Sequence, residues 1–206
     1  MRRVQCNVGA IILAAGQGSR YRQVAGADQD KLLARCKGRD GVVRPVLEHS
    51  LRNLPDSVQP RWLVTTPDRP EVARLARAYG CEVLWLASAG MGDSIAAAVS
   101  ACPGLGGWLV VLGDMPFILP ASIDEVVAQV TADAISVPVR ASEFGHPVGF
   151  GASFGPALMA LSGDRGAKPL FAKARVVEVV VDDGGVLWDV DVPQALVFDQ
   201  SAGGYL

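Results

Sequence analysis

An uninterrupted apolar run that ends in a glycine-rich loop constrains this chain more than any other feature. The five residues from Ala10 to Ala14 are all apolar, which is typical of a strand buried on both faces of a parallel sheet. Gly16 and Gly18 follow, and their backbone freedom allows amide groups to turn toward a bound anion. Arg20 and Lys31 add positive charge nearby. The pattern predicts a nucleotide triphosphate site at the carboxyl edge of an α/β sheet. An ordinary glycine turn after a strand is the alternative.

Two common nucleotide-binding classes are not supported by the glycine spacing. Tyr21 stands where a dinucleotide-binding fingerprint has its third glycine, and no Gly-Lys-Ser/Thr sequence follows as in a P-loop. Nucleophilic hydrolase chemistry is not supported either, because the chain contains no Gly-x-Ser-x-Gly motif and no cysteine in an activated setting.

Length and composition predict one domain spanning residues 1–206, with a flexible tail from residue 199. Half of the 206 residues are hydrophobic and 19% are charged, which is enough to build one well-packed core. Nineteen basic and 21 acidic residues occur without a block of like charge, so a small-molecule ligand is expected rather than nucleic acid. The apolar stretch after the basic N-terminus is too short to span a membrane. Four scattered cysteines fit reduced, packed thiols in the cytoplasm. We therefore expect a cytoplasmic protein with no membrane partner.

Strand and helix patterns alternate along most of the chain, which predicts a three-layer α/β fold with a mainly parallel sheet. The polar segment from Arg20 to Asp30 is predicted to be a mobile arm that brings Lys31 back to the loop, and Lys37–Gly41 to be irregular. Predicted strands are 62–66, 81–86, 108–112, 134–139 and 176–181, and predicted helices begin at Pro45 or cover 69–79, 96–101, 120–130, 153–161 and 167–174.

Acidic residues at the ends of two extended segments suggest a metal site. Asp114 follows the apolar strand 108–112, where open α/β sheets collect ligands. Magnesium usually binds one or two carboxylates together with phosphate oxygens, and Asp189 and Asp191 are the candidates for the second carboxylate. Because they are two residues apart in an extended run, their side chains point the same way. The alternatives are a turn-forming acid for Asp114 and a helix cap for the later pair.

Other polar residues allow both a functional and a structural interpretation. His146 lies between a glycine and a proline, where a histidine is often a hydrogen-bonded turn residue rather than a catalyst. Asp164 and Arg165 lie between two glycines. They can place Arg165 and helix-start amides beside an anion, or simply cap the next helix. Ser94 can likewise be an N-terminal cap.

Five motifs in order, taken together, resemble the molybdenum cofactor cytidylyltransferases, which belong to the nucleotidyltransferases with a Rossmann-like fold. The resemblance covers nearly the whole chain. The motifs are Leu13–Arg20 with Lys31–Leu33, Gly113–Pro116, Gly145–Phe150, Gly163–Ala167 and Asp189–Pro193.

The resemblance implies transfer of CMP from CTP, with Mg²⁺, to the terminal phosphate of a molybdopterin-type cofactor, with release of pyrophosphate. A molybdenum hydroxylase would then receive the cofactor. By resemblance, Arg20, Lys31 and Asp114 are catalytic, Asp114 and Asp191 bind the metal, and His146, Asp164 and Arg165 face the pterin. The nucleotide-binding residues implied in the same way are Leu13, Ala14, Ala15, Gly16, Gly18, Ser19, Gly90, Met91 and Ser94.

This chain departs from the family pattern at two places. The family lysine comes a few residues after the arginine, whereas Lys31 lies 11 positions after Arg20, so a different substrate shape or a phosphate role for Arg22 is open. Val192 replaces the threonine that relatives tend to carry before the proline.

Rival functions are a GTP-dependent guanylyltransferase, another small-molecule nucleotidyltransferase and a non-catalytic cofactor-delivery protein. The guanylyltransferases tend to have Leu-Ala-Gly-Gly where this chain has Leu13-Ala14-Ala15-Gly16. The second alanine therefore favours CTP.

Overall fold

The computed structural model describes residues 7–87 and 90–199. The strands in these residues are β1 Val8–Leu13, β2 Arg35–Lys37, β3 Val43–Pro45, β4 Arg61–Thr65, β5 Glu82–Trp85, β6 Gly107–Leu112, β7 Ala134–Arg140, β8 Glu143–Phe144, β9 Val148–Gly151 and β10 Arg175–Val180. The α-helices are α1 Ser19–Ala25, α2 Val46–Arg52, α3 Pro70–Ala78, α4 Met91–Ala101, α5 Pro120–Ala128 and α6 Gly155–Met159. Short 3₁₀ helices cover Ala152–Phe154, Lys168–Lys173, Gly184–Leu187 and Pro193–Leu196.

The main sheet has the strand order β10-β7-β9-β6-β1-β4-β5, and β8 pairs with β7. Strands β6, β1, β4 and β5 run parallel to one another. Strand β9 runs antiparallel between β6 and β7, and β10 is parallel to β7. The predicted mixed, mainly parallel sheet is confirmed, and it places the carboxyl ends of β1 and β6 side by side.

Helices cover both faces of this sheet. One apolar cluster contains Leu47 of α2, Val72 of α3 and Ile123 of α5, and the other contains Ile95 of α4 and Leu158 of α6. Strand β1 contributes to both clusters, because successive side chains of a strand point to opposite faces: Ile12 lies in the first and Ile11 in the second. The three-layer Rossmann-like arrangement is therefore confirmed.

The segment from Arg20 to Asp30 is predicted to be a mobile arm. This prediction is wrong for its first half, which forms α1. Gly18, with a φ of 61°, precedes the helix, and such a left-handed conformation is accessible to glycine without strain. Tyr21 anchors α1 because its side chain is buried in the first apolar cluster. The polar composition of the segment concealed this single aromatic anchor.

The predicted irregular segment Lys37–Gly41 lies at the turn of a hairpin, with β2 and β3 antiparallel on either side. The expected helix over 167–174 is a 3₁₀ helix, and the one over 153–161 is a 3₁₀ turn followed by the short α6. Both segments contain or adjoin glycine and proline residues, which disfavour a regular α-helix.

Two predictions from composition concern the cysteines and a membrane-spanning helix. Cys36, Cys81 and Cys102 are free and buried, whereas Cys6 and the tail from residue 200 lie outside the described residues. In residues 7–87 and 90–199, no helix is long and apolar enough to cross a membrane.

Candidate active site

The glycine loop continues directly from β1 at the carboxyl edge of the sheet. The Ala14 amide still donates to Val64 of β4, with an N–O distance of 2.9 Å, and the chain then leaves the sheet. A side chain at Gly16 would meet nothing within 4 Å, so this part of the loop faces open space. The backbone there can approach a ligand closely.

A buried arginine, not anticipated from the sequence, holds the start of the loop. Arg69 is 6% exposed, and its Nη1 donates to the Ala14 carbonyl at 2.8 Å. Its Nε lies 3.2 Å from Asp30 Oδ2, so one guanidinium contacts both the loop and the end of the arm. Sequence spacing does not predict these contacts, because Arg69 is far along the chain from both Ala14 and Asp30.

The arm delivers Lys31 to the acidic residues of the site. Lys31 Nζ donates to Asp114 Oδ2 at 2.5 Å and to Asp191 Oδ1 at 3.1 Å. Arg20 Nη1 donates to Asp191 Oδ2 at 2.8 Å, although 77% of the Arg20 side chain is exposed. The Val190 amide donates to the Asp114 carbonyl, which fixes the later acidic segment beside the turn after β6. The structure therefore brings together Arg20, Lys31, Asp114 and Asp191.

The charges in this cluster shift its pKa values in opposite directions. Burial disfavours the charged form of Lys31, but Asp114 and Asp191 outweigh it, so the pKa of Lys31 is raised. Burial would raise the pKa of Asp191, but its bonds to Lys31 and Arg20 lower it. The pKa of Asp189 is raised, mainly by burial and further by Asp191 and Asp114. At neutral pH Lys31 is therefore an ammonium and Asp191 a carboxylate.

The donor set fits a magnesium ion that shares its coordination with phosphate. Asp114 and Asp191 converge on one point, the Lys31 ammonium, so both carboxylates already face a common cation. No group of three or more histidine, cysteine or acidic residues with metal-binding geometry occurs in the described ranges. A site of two carboxylates that is completed by phosphate and water is the kind that Mg²⁺ occupies in phosphoryl-transfer enzymes.

A cavity of about 270 Å³ joins this cluster to the glycine loop and the start of α4. The predicted residues that line it are Leu13, Ala14, Ala15, Gly16, Lys31, Met91, Ser94, Asp114 and Asp191, together with Asp189. Gly18, Ser19 and Arg20 lie beyond the lining, at the start of α1, and Gly90 precedes α4. Ser94 is buried and its hydroxyl donates to the Gly90 carbonyl at 3.0 Å, so it closes the first turn of α4 rather than capping it.

A larger cavity of about 740 Å³ lies next to the first and collects the other predicted residues. His146, Asp164 and Arg165 line it, with Lys168 beside them. Met91 lines both cavities. The predicted site residues thus fall into two groups on either side of one methionine.

Aromatic rings form a wall of the larger cavity that the motifs did not reveal. The rings of Phe144 and Phe171 are 5.9 Å apart, and those of Phe150 and Phe171 are 6.4 Å apart. These phenylalanines come from β8, β9 and the 3₁₀ helix after Ala167, so only the fold brings them together. Such a wall suits a flat, largely apolar body.

His146 enters this cavity as a neutral side chain. Burial lowers its pKa to about 4, against an opposing effect of the Asp114 charge and a backbone carbonyl. Its buried Nδ1 has no hydrogen-bond partner. The ring therefore supplies no positive charge to a ligand at neutral pH.

The fold and this site define a class, the nucleotidyltransferases with a Rossmann-like sheet. Within it, the chain belongs to the family of MobA-like NTP transferase domains, which matches residues 10–179. No protein with a curated description matches the chain.

Several solved structures share the fold over almost the whole chain. A nucleotidyl transferase from Methanothermobacter thermautotrophicus, Mth528, is 21% identical with a TM-score of 0.75, covering 91% of this chain and 93% of that one. Rv0371c from Mycobacterium tuberculosis H37Rv is 26% identical with a TM-score of 0.72, covering 93% and 96%, and it has also been solved in complex with manganese. The 4-diphosphocytidyl-2C-methyl-D-erythritol synthase of Anaerococcus prevotii is 15% identical with a TM-score of 0.68, covering 93% of each chain.

Proposed function

We propose that this protein transfers CMP from CTP to the terminal phosphate of a molybdopterin-type molybdenum cofactor and releases pyrophosphate. The observation that carries the proposal is the Lys31 ammonium, which lies between Asp114 and Asp191 at the mouth of the glycine loop. Cations and carboxylates in this arrangement suit a magnesium-bound triphosphate. The five motifs that resemble the molybdenum cofactor cytidylyltransferases support the finer choice of donor and acceptor.

The reaction needs positioning more than it needs a protein nucleophile. An oxygen of the acceptor phosphate attacks the α-phosphorus of CTP, the bond from the α-phosphorus to the bridging oxygen breaks, and pyrophosphate leaves with that oxygen. Negative charge grows on the oxygens around the α-phosphorus, and a cation fixed beside them stabilises the transition state. Lys31 is our candidate for this cation, and Arg20 for a contact to the β- and γ-phosphates.

The two cavities divide the substrates in this proposal. The loop from Ala14 to Gly18 and the start of α4, with Met91 and Ser94, bind the nucleotide. Asp164, Arg165 and His146 face the acceptor in the larger cavity. When bound by Asp114 and Asp191, Mg²⁺ would neutralise phosphate charge and orient the triphosphate.

The aromatic wall and the cationic rim of the larger cavity agree with the proposed acceptor. Phe144 and Phe171 line this cavity and supply aromatic surface for a flat heterocycle, while Arg165 and Lys168 lie at the same cavity and can meet its phosphate. We place the reaction in the cytoplasm as a single-domain enzyme and propose a molybdenum hydroxylase as the recipient of the product.

The test is pyrophosphate release with each of the four NTPs, Mg²⁺ and molybdopterin. We expect release with CTP and a CMP-modified cofactor as the second product. Release with GTP would overturn the choice of donor and favour the guanylyltransferase alternative. Tight binding of the cofactor without release from any NTP would overturn the transferase proposal and favour a delivery protein. Assays without acceptor provide the control for simple NTP hydrolysis.

A further inference from the structure

The loop that carries Asp164 and Arg165 is hydrogen-bonded to the first turn of α4. The Gly92 amide donates to the Gly163 carbonyl at 2.7 Å, and the Gly163 amide donates to Asp93 Oδ1 at 3.2 Å. One glycine of the loop thus uses both its backbone groups on α4. The acceptor side of the site is fastened to the nucleotide side at this point.

Glycines allow the two segments to approach this closely. A Cβ atom at Gly92 would lie 2.9 Å from both the Gly163 and the Ser162 carbonyl oxygens, and one at Gly90 would lie 2.9 Å from the Gly163 oxygen. On the loop, a Cβ atom at Gly166 would lie 2.6 Å from Met91 Sδ. These distances are shorter than normal carbon contacts. The loop can therefore lie this close to α4 only because these positions are glycines.

Asp93 itself is outside both cavities, whose linings include neither its side chain nor Gly92. Its neighbours on α4, Met91 and Ser94, line the nucleotide cavity, and the loop that it holds sends Asp164 and Arg165 into the larger cavity. Asp93 therefore lies between the two groups of site residues without facing either ligand.

We propose that Asp93 is a positioning residue that holds the 162–166 loop on α4, so that Asp164 and Arg165 are presented to the acceptor. The inference rests on the proposed division of the two cavities between nucleotide and acceptor. It predicts that undocking the loop weakens acceptor binding while nucleotide binding persists, because Arg69 holds the glycine loop through the Ala14 carbonyl, and Asp114 and Asp191 hold Lys31.

The first experiment measures the docking itself and needs no substrate. Hydrogen exchange of the Gly163 amide is compared among the wild type, Asp93→Ala, Asp93→Asn and Gly92→Ala. The asparagine variant keeps an oxygen that accepts from Gly163, so its exchange should remain near that of the wild type. Asp93→Ala should speed exchange at Gly163 about tenfold or more, because it removes the carboxylate that accepts from this amide. Gly92→Ala should speed the same exchange by pushing the loop away from α4. Unchanged exchange in Asp93→Ala would overturn the docking role.

The second experiment measures the consequence for transfer. With CTP and molybdopterin, Asp93→Ala and Gly92→Ala should each raise the acceptor KM about tenfold. Asp93→Ala, whose side chain lines neither cavity, should do so with the dissociation constant of CTP, measured by calorimetry, unchanged. The two variants differ in their effect on α4: one removes an acidic residue from its first turn, while the other replaces glycine by a better helix former. A shared effect on the acceptor KM therefore comes from the loop and not from helix stability.

Asp124→Ala is the matched control, because it removes an exposed carboxylate from another helix, and it should behave as wild type in both experiments. In Asp93→Ala, a parallel rise in the CTP dissociation constant and the acceptor KM, or an unaltered acceptor KM despite faster exchange, would overturn the inference. If the wild type transfers no nucleotide to molybdopterin, the proposed function fails. The exchange data then decide the docking of the loop alone.

Discussion

Lys31 Nζ lies 2.5 Å from Asp114 Oδ2, although the two residues are separated by 83 positions and come from different elements. Only 10% of the Lys31 side chain and 19% of the Asp114 side chain are exposed. A charged pair of this kind is retained at a cost in desolvation that a purely structural role does not require. We therefore expect this pair to lie where the negative charge of the phosphates is neutralised during transfer.

Replacing Asp114 should abolish transfer and leave the protein folded. The Asp114→Ala variant loses one of the two carboxylates proposed to hold Mg²⁺, while Asp191 still pairs with Lys31. We expect pyrophosphate release to fall at least a hundredfold, by analogy with removal of a transition-state stabilising group. Initial rates at ordinary Mg²⁺ and a thermal melt measure the two effects.

The control for this variant is Asp56→Ala, since the Asp56 side chain is fully exposed. It should retain wild-type turnover. Near-native turnover in Asp114→Ala would show that the metal assignment is wrong.

Removing the ammonium of Lys31 should lower kcat more than it raises the KM for CTP. Methionine keeps a flexible apolar stem in the buried position but supplies no cation where charge grows on the α-phosphate. A loss of about 2.7 to 4 kcal/mol of transition-state stabilisation is expected, or roughly 100- to 1,000-fold in kcat. Steady-state kinetics of Lys31→Met are compared with those of Lys173→Met, which changes an exposed lysine. A variant altered only in KM would instead assign Lys31 to ground-state binding.

The sequence was sufficient to predict the layers of the fold and to place its main strands to within two residues at each end. Buried runs such as Trp108–Leu112 were recognisable because both faces of a parallel strand are covered. The position of β9 was not predictable, since its antiparallel insertion between β6 and β7 depends on contacts with strands distant in sequence. The helical start of the arm was missed because one buried residue, Tyr21, stabilises an otherwise polar segment.

The sequence names candidate site residues one by one but does not predict their arrangement. Motif spacing indicated Lys31 and Asp114 without showing that the long arm brings them into contact. Arg69 gave no signal, because its importance arises from burial between the Ala14 carbonyl and Asp30. The shared position of Met91 between two cavities is likewise a property of packing.

Arg69 and Asp30 should be strongly coupled in stability. The Arg69 side chain is 5% exposed and that of Asp30 is 16% exposed, and removal of one partner leaves a buried charge unpaired. We expect Arg69→Met to lower the free energy of unfolding by about 3 kcal/mol and to weaken CTP binding by loosening the Ala14 loop. A double-mutant cycle with Asp30→Asn, followed by urea unfolding, should give a coupling of about 1 to 3 kcal/mol.

The Arg175–Asp133 pair is the matched control for this cycle, because its side chains are 63% and 71% exposed. Its coupling should stay below about 1 kcal/mol. Equal coupling in both cycles would contradict a special role for the buried pair.

His146 should make the protein less stable as the pH falls from about 6.5 to 4. In the folded state burial lowers the pKa of His146 to about 4, while the unfolded chain takes up the proton near pH 6.5. The unfolded state therefore binds more protons in this window, and the free energy of unfolding rises with pH. The stability contribution is fully present above pH 6.5 and is lost progressively below it, by up to about 3 kcal/mol. The His146→Gln variant does not titrate there, so the difference between its unfolding curve and that of the wild type isolates this effect from the carboxylates they share. Parallel stabilities of the two proteins between pH 7 and pH 4.5, or an imidazole NMR resonance of His146 that titrates near pH 6.5, would contradict the buried neutral ring.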